Sequence, residues 1–261
     1  MKTNMITQEK PPIQVEHLDM AYGGMIVQKD INFSVKKSEI LVIMGDSGCG
    51  KSTLMRHMVG LKKPAAGDIF YNNEPFWNGS LTQRENRMRH FGVMYQSGAL
   101  WSSMTLAENI SLPLQEYTAL TDKQMKEVAS LKLSLVGLAG YEDFYPSEIS
   151  GGMCKRAGIA RAIALDPEVI FFDEPSAGLD PISSKRLDDL ILALRDGLGA
   201  TIIVVTHELA SIFAIADNSI FLDAERKTLI ANAPPKELLQ HSTDEKIQRF
   251  LTRGEKGVQQ P

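Results

Sequence analysis

The sequence predicts an α/β fold: a parallel-sheet core with an antiparallel β subdomain and an inserted α-helical subdomain. Three observations predict it. A glycine-rich segment, Gly45-Asp46-Ser47-Gly48-Cys49-Gly50-Lys51-Ser52-Thr53, stands between a short apolar run, Ile40–Met44, and a helical pattern, Lys51–Val59. Further short apolar runs at Phe91–Tyr95, Val169–Phe172 and Thr201–Thr206 end in polar residues, as buried parallel strands do at the edge where ligands collect. Between the first two of these runs, from Ser97 to about Glu148, the pattern turns helical.

Taken in order, the chain opens with a polar leader, residues 1–11, without the apolar core of a signal peptide. Ile13–Met20 alternates apolar and polar residues, and Ile26–Val35 places Ile31, Phe33 and Val35 on one face. Both read as strands of an antiparallel sheet beside a bound nucleotide. Tyr22 lies in the turn between them, either to stack on a base or to cover the sheet in part. Gly45–Thr53 fits G-x-x-x-x-G-K-[ST], whose backbone N–H groups cradle phosphates while Lys51 and Ser52 reach the terminal phosphates and Mg²⁺. The helix that follows turns its N-terminus toward the anion. This chain is expected to bind a nucleoside triphosphate.

Asp68–Tyr71 reads as a short strand and Arg84–His90 as a basic helical piece. The run Phe91–Tyr95 ends at Gln96, either a ligand-contacting side chain at the strand's edge or a loop glutamine. In the insertion, Thr105–Ile110 reads as a capped short helix and Thr121–Val136 as an amphipathic one ended by Gly137. Leu100, Trp101 and Met104 either face a partner or pack the subdomain's own core. Ser150-Gly151-Gly152 opens a helix over Met153–Leu165, stopped by Asp166-Pro167. A serine N-cap is ordinary, but two glycines in a first turn lower helix propensity. The segment is either a plain cap or a second anion site built from N–H groups.

Val169–Glu174 delivers two carboxylates at a strand end, Asp173 suited to Mg²⁺ and Glu174 to polarising an attacking water. A tight loop to Asp180 precedes the helix Pro181–Arg195. Thr201–Thr206 ends at His207, where a donor would face the γ-phosphate. Strands at Ser219–Leu222 and Thr228–Ala231, helices at Pro235–Gln240 and Asp244–Leu251, and a polar tail at 253–261 complete the chain.

The 261 residues suit a single domain over 12–252, with the helical subdomain at 97–166. A net charge of −4 offers no basic field, which excludes nucleic acid as the main partner. Cys49 and Cys154 stand far apart and away from histidine pairs, so neither a disulfide framework nor a zinc site is expected. Cys49, inside the glycine loop, is a candidate for alkylation. No apolar run approaches the roughly eighteen residues of a membrane helix. A cytoplasmic chain is expected, with any membrane role supplied by a partner.

The ordered set resembles the ATP-binding subunit of an ABC transporter, a P-loop NTPase with a RecA-like core, over about Ile13 to Gln240. On that resemblance Tyr22 is the A-loop residue, Gln96 the Q-loop residue facing Mg²⁺, and Ser150–Gly152 the signature. Glu174 is then the catalytic base, Ser176–Asp180 the D-loop, and His207 the switch histidine. One departure stands out: the usual Leu-Ser-Gly-Gly-Gln is here Ile149-Ser-Gly-Gly-Met153. Met153, with Tyr95–Leu100, Met104–Ile110 and Lys155-Arg156, is similar to the ATPase of Mla-type phospholipid transport systems.

The resemblance implies a homodimer burying two ATP molecules head to tail, the signature of one protomer closing on nucleotide held by the other. It also implies a membrane permease as partner, a lipid-binding protein with a mammalian-cell-entry domain, and a place on the cytoplasmic face of the inner membrane. Lys51 and the loop amides would hold phosphates, Ser52, Gln96 and Asp173 Mg²⁺, and Glu174 with His207 the water. An importer, a lipoprotein-release system or a soluble ABC ATPase would share most of these residues. A purely structural nucleotide module is disfavoured because Glu174 and His207 are both present.

Overall fold

The computed structural model describes residues 11–96 and 98–253. Ser97, the expected start of the insertion, and the polar tails apart from Pro11 and Arg253 lie outside the described residues.

β1 (Ile13–Tyr22) and β2 (Met25–Val35) pair antiparallel through a two-residue turn. Gly23 and Gly24 both take positive φ there, 53° and 83°, as this class of hairpin turn requires. β3 (Ile40–Gly45) then leads into the glycine loop and α1 (Lys51–Met58). β4 (Ala66–Tyr71) and β5 (Glu74–Pro75) complete the first sheet, ordered β2-β1-β4-β5. After α2 (Leu81–Met88) and β6 (Phe91–Met94) come three helices: α3 (Leu106–Tyr117), α4 (Asp122–Leu135) and α5 (Gly151–Ala162). The chain continues through β7 (Val169–Asp173), α6 (Pro181–Leu198), β8 (Thr201–Val205), α7 (Leu209–Ile215) and β9 (Asn218–Asp223). It ends in β10 (Thr228–Ala233), α8 (Pro235–His241) and α9 (Glu245–Leu251).

The second sheet is ordered β10-β9-β3-β8-β7-β6, with β10 antiparallel to β9 and the other five strands parallel. β3 is buried at every position because both faces of the sheet are covered. Its residues divide by parity. Ile40, Val42 and Met44 join the core shared with the helices after β6, whereas Leu41 and Ile43 join that shared with α1 and the antiparallel sheet. β7 and β8 alternate in the same way.

Several boundaries differ from the sequence reading. The helix expected to stop at Ile110 runs on to Tyr117 through Pro113. Proline removes one intrahelical donor, but Ile110 and Leu114 stay buried on the same face and hold the helix together. α2 begins at Leu81, under a capping box of Ser80 and Gln83, earlier than the basic run suggested. α7, β5 and a 3₁₀ turn at Pro146–Glu148 were not expected; each is too short to show a period.

Candidate active site

Because β3, β6, β7 and β8 are parallel, their C-terminal ends meet one edge of the sheet. Ile43, Val205 and Asp173 are in register across β3, β8 and β7, and Met94 of β6 stands beside Phe172. The residues just beyond them therefore converge: the glycine loop after Gly45, Gln96, Glu174 and His207.

In the loop, Asp46, Ser47 and Gly48 are exposed, whereas Cys49 is buried. Gly45, at φ 141°, has no room for a Cβ, which would fall 2.4 Å from the Leu222 carbonyl oxygen. Gly50 is the N-cap of α1 in a left-handed conformation (φ 105°, ψ 13°) and brings no side-chain cap. The first N–H groups of α1, on Lys51, Ser52 and Thr53, thus meet no capping side chain, and they are what an anion would bind. Lys51 folds back over the loop, its Nζ donating to the Gly45 carbonyl at 2.7 Å and the Asp46 carbonyl at 3.0 Å. Burial pushes the Cys49 thiol up, with Lys51 opposing, and only 1% of the residue is accessible. That corrects the alkylation expectation: a protonated, covered sulfur is a poor nucleophile.

Ser52 Oγ donates to Asp173 Oδ1 at 3.2 Å. Burial raises the Asp173 carboxyl and the Ser52 hydrogen bond lowers it. A hydroxyl and a carboxylate within one hydrogen bond form a hard-oxygen set of the kind Mg²⁺ uses, since Mg²⁺ keeps most of its waters and takes few protein ligands. Next along the chain, Glu174 adopts φ 50°, uncommon for a side chain of its size. Its N–H donates to the Val205 carbonyl at 2.8 Å, and its Oε1 lies 2.8 Å from His207 Nδ1. Oε2 is buried and has no partner among the described residues. Glu174 and His207 thus form one unit across β7 and β8, with one carboxylate oxygen uncommitted.

Tyr22 is 44% exposed. Its hydroxyl accepts from Arg56 at 3.3 Å, and hydrogen bonds from Thr53 and Arg56 hold the phenol below its usual range. Lys62 Nζ stands 2.7 Å from the ring centroid. Gln96 is exposed in the turn after β6.

Ser150 caps α5, its Oγ accepting from Met153 N at 3.3 Å, and it does not join the loop–Asp173 cluster. A Cβ on Gly151 would meet nothing within 4 Å, and one on Gly152 only the side chains of Leu179 and Ser183. The helix start is open to whatever approaches from outside the chain. Asp180 caps α6 through the amides of Ile182 and Ser183, each at 3.0 Å.

Two contributors escaped the sequence reading. Gln28 is fully buried and its Nε2 donates to the carbonyls of Cys49 (2.6 Å) and Asp223 (3.0 Å), pinning the loop from behind. Its parity is opposite to Ile31, Phe33 and Val35, and becomes inward only because Asp30 kinks the strand at φ 51°. Lys155, three residues beyond the expected anion site, is buried with its ammonium on the Ala177 carbonyl.

A family model described as "ABC transporter" matches residues 28–177. This chain belongs to the ABC transporter family. The cassette is 38% identical over 239 residues to the intermembrane phospholipid transport system ATP-binding protein MlaF of Haemophilus influenzae, covering 92% of this chain and 89% of that one. The Escherichia coli K12 protein of the same name is 36% identical over an equal length. A probable ribonucleotide transport ATP-binding protein, mkl, of Mycobacterium tuberculosis H37Rv is 37% identical, but the match spans 66% of it. Among solved structures, the dimeric post-hydrolysis state of the cassette MJ0796 bound to ADP and Pi superposes with a TM-score of 0.77 at 26% identity, covering 85% of this cassette and 98% of that chain. CbiO1 of Clostridium perfringens, part of the cbiONQ transporter complex, gives 0.81 at 27% identity, covering 94% and 96%. The fold is therefore that of the P-loop ATPases, and the cassette is an ATP-binding, ATP-hydrolysing one.

Proposed function

We propose that the cassette powers phospholipid transport through a separate membrane permease, and that it works as a homodimer enclosing two ATP molecules head to tail. The observation that carries the catalytic part is the Glu174–His207 unit beside the Ser52–Asp173 pair on one sheet edge. The similarity to MlaF over nine-tenths of both chains favours phospholipid as cargo. Ribonucleotide is the second reading, resting on relatives that the cassette matches over a smaller share.

In this reading the phosphates lie on the amides of Gly45–Thr53 with Lys51 turned from the Gly45 and Asp46 carbonyls onto them. Ser52, Asp173 and Gln96 would hold Mg²⁺, which when bound neutralises charge between the β- and γ-phosphates. Tyr22 stacks on adenine. Glu174 accepts a hydrogen bond from the attacking water through its free Oε2, and His207 holds the carboxylate and faces the γ-phosphate. Ser150, Gly151 and Gly152 close on the nucleotide of the partner protomer, with Asp180 at the same interface.

The helical insertion up to Glu148, which has no catalytic duty, meets the permease, which keeps the cassette at the cytoplasmic face of the inner membrane. A lipid-binding protein with a mammalian-cell-entry domain completes the system on the other side. The indole of Trp101 is 61% exposed, while Leu100 packs against the core. Nearby, Phe91, Val93, Leu112, Pro113 and Arg161 line a groove of about 310 Å³ between β6, α3 and α5. Among the described residues no helix is long and apolar enough to cross a membrane.

The test is the ATPase rate of the full chain, alone and after co-purification from membranes. Turnover that rises with a bound integral membrane protein, and phospholipid in that complex, is expected. Full turnover in solution without membrane association would overturn the permease reading, and bound ribonucleotide without lipid would overturn the cargo.

A further inference from the structure

Helix α5 grips both catalytic loops of its own chain. Its N-terminus is the open Ser150–Gly152 segment. One turn on, Lys155 is 8% accessible and its ammonium donates to the carbonyl of Ala177, in the loop that leaves Glu174. A further turn on, Gly158 lies so close to the loop after Gln96 that a Cβ would fall 2.9 Å from Gly98 Cα. Arg161 then donates to two successive carbonyls of that loop, Ala99 at 2.8 Å and Gly98 at 3.0 Å. Positions 152, 155, 158 and 161 are spaced by three, so each neighbours the next along a row that winds about half way round the helix, which lets one helix reach loops on different sides.

We propose that Lys155 is a positioning residue: it ties the helix whose N-terminus receives the partner protomer's nucleotide to the loop that sets Glu174 of its own chain. The proposal rests on the head-to-tail dimer above. In such a dimer α5 serves one ATP and Glu174 the other, so a link inside the chain carries the occupancy of one site to the chemistry of the second.

The residue type fits this duty. Burial lowers the Lys155 ammonium and the charge of Glu174 raises it again, so the two groups feel one another across the loop. Glu174 stands at φ 50° with Oε2 unpartnered among the described residues, a conformation its surroundings must hold. An ammonium has three donors, and Lys155 uses one on Ala177 among the described residues. Its charge steadies the carboxylate while its hydrogen bond steadies the backbone. Because a helix moves as a rigid rod, an anion that shifts the N-terminus of α5 shifts Lys155 with it.

The experiment uses the full chain with MgATP and compares Lys155→Met, Lys155→Gln and Lys155→Arg. For wild type, a rate that depends sigmoidally on ATP is expected. Lys155→Met should lower kcat by about tenfold or more, leave the ATP concentration at half-maximal rate within about twofold, and make the dependence hyperbolic. Lys155→Arg, which restores charge and donors, should return most of kcat; Lys155→Gln, with a donor and no charge, should not. ATP-driven dimerisation of Glu174→Gln, followed by size-exclusion chromatography, should survive addition of Lys155→Met. Should Lys155→Met fail to fold by circular dichroism, Lys155→Gln carries the kinetic arm. Wild-type kcat in a folded uncharged variant overturns the proposal, as does failure of Arg to rescue. Loss of dimerisation only in the double variant places Lys155 at the anion site itself and also overturns it. If Glu174→Gln alone fails to dimerise, the head-to-tail reading falls first and takes this proposal with it.

Discussion

At the scale of single residues, the site depends on a few side chains whose surroundings decide their state. Replacing Glu174 by Gln keeps the hydrogen bond to His207 but removes the negative charge that would polarise water. Turnover should fall by roughly two to four powers of ten, with ATP binding retained, as a filter-binding assay beside a phosphate-release assay would show. Asp188 offers a separate test. It is 5% accessible, its Oδ2 accepts from Ser211 at 2.9 Å, and burial lifts its carboxyl to about 6. A raised carboxyl pKa means that the folded chain holds its proton longer than the unfolded one, so stability falls as pH rises from about 4 to 6 and stays lower above. Asp188→Asn should therefore gain on wild type across that window and remain about 1–3 kcal/mol ahead at pH 7.5 in urea unfolding. The residues of the loop and the strand ends were legible in the sequence because short-range patterns announce them. Gln28 was not, since the kink that turns it inward lies in the backbone at Asp30.

Single elements show where local pattern suffices and where tertiary contacts take over. β3, β7 and β8 were legible as apolar runs, and α4 and α5 through their caps. α3 outran its expected end because burial of Leu114 outweighs one lost hydrogen bond at Pro113, a balance that no window of sequence displays. α7 is seven residues long and shows less than two periods. Two predictions belong at this scale. Gly158→Val puts a branched side chain against the Gly98 backbone, so α5 or the loop must shift, costing about 1–3 kcal/mol in chemical denaturation. Trp101→Ala removes an exposed indole, so the melting temperature should stay near wild type while capture of the permease in a pull-down weakens. A variant that unfolds instead would return Trp101 to the subdomain core.

Across the whole molecule, among the described residues Ser150 bonds only within its own helix start while Lys51 bonds within the phosphate loop, and the proposed head-to-tail dimer brings the two together from different copies. Glu174→Gln with MgATP should elute at twice the monomer mass and carry two nucleotides per dimer, and chelation of the metal should return it to monomer. Nothing local in the sequence states that separation. It follows from sheet order, which becomes readable only when strands far apart in sequence are placed side by side.

That order also bears on how the protein is made. β3, which leads into the phosphate loop, is flanked by β8 and β9, so Ile40 pairs with Ile202 and Leu41 with Asn218. A growing chain therefore carries Ile40–Met44 with neither neighbour until about four-fifths of its length has left the ribosome. During that interval the most apolar strand in the protein is a bare ribbon, open to chaperones or to another nascent copy. Nucleotide cannot help, for Gly45, at the start of the loop, pairs with Leu222 of β9, which has not yet emerged. Ribosome-bound chains stalled before residue 200 should retain no ATP and should be degraded rapidly once released, whereas chains stalled with residue 223 outside the exit tunnel should retain it.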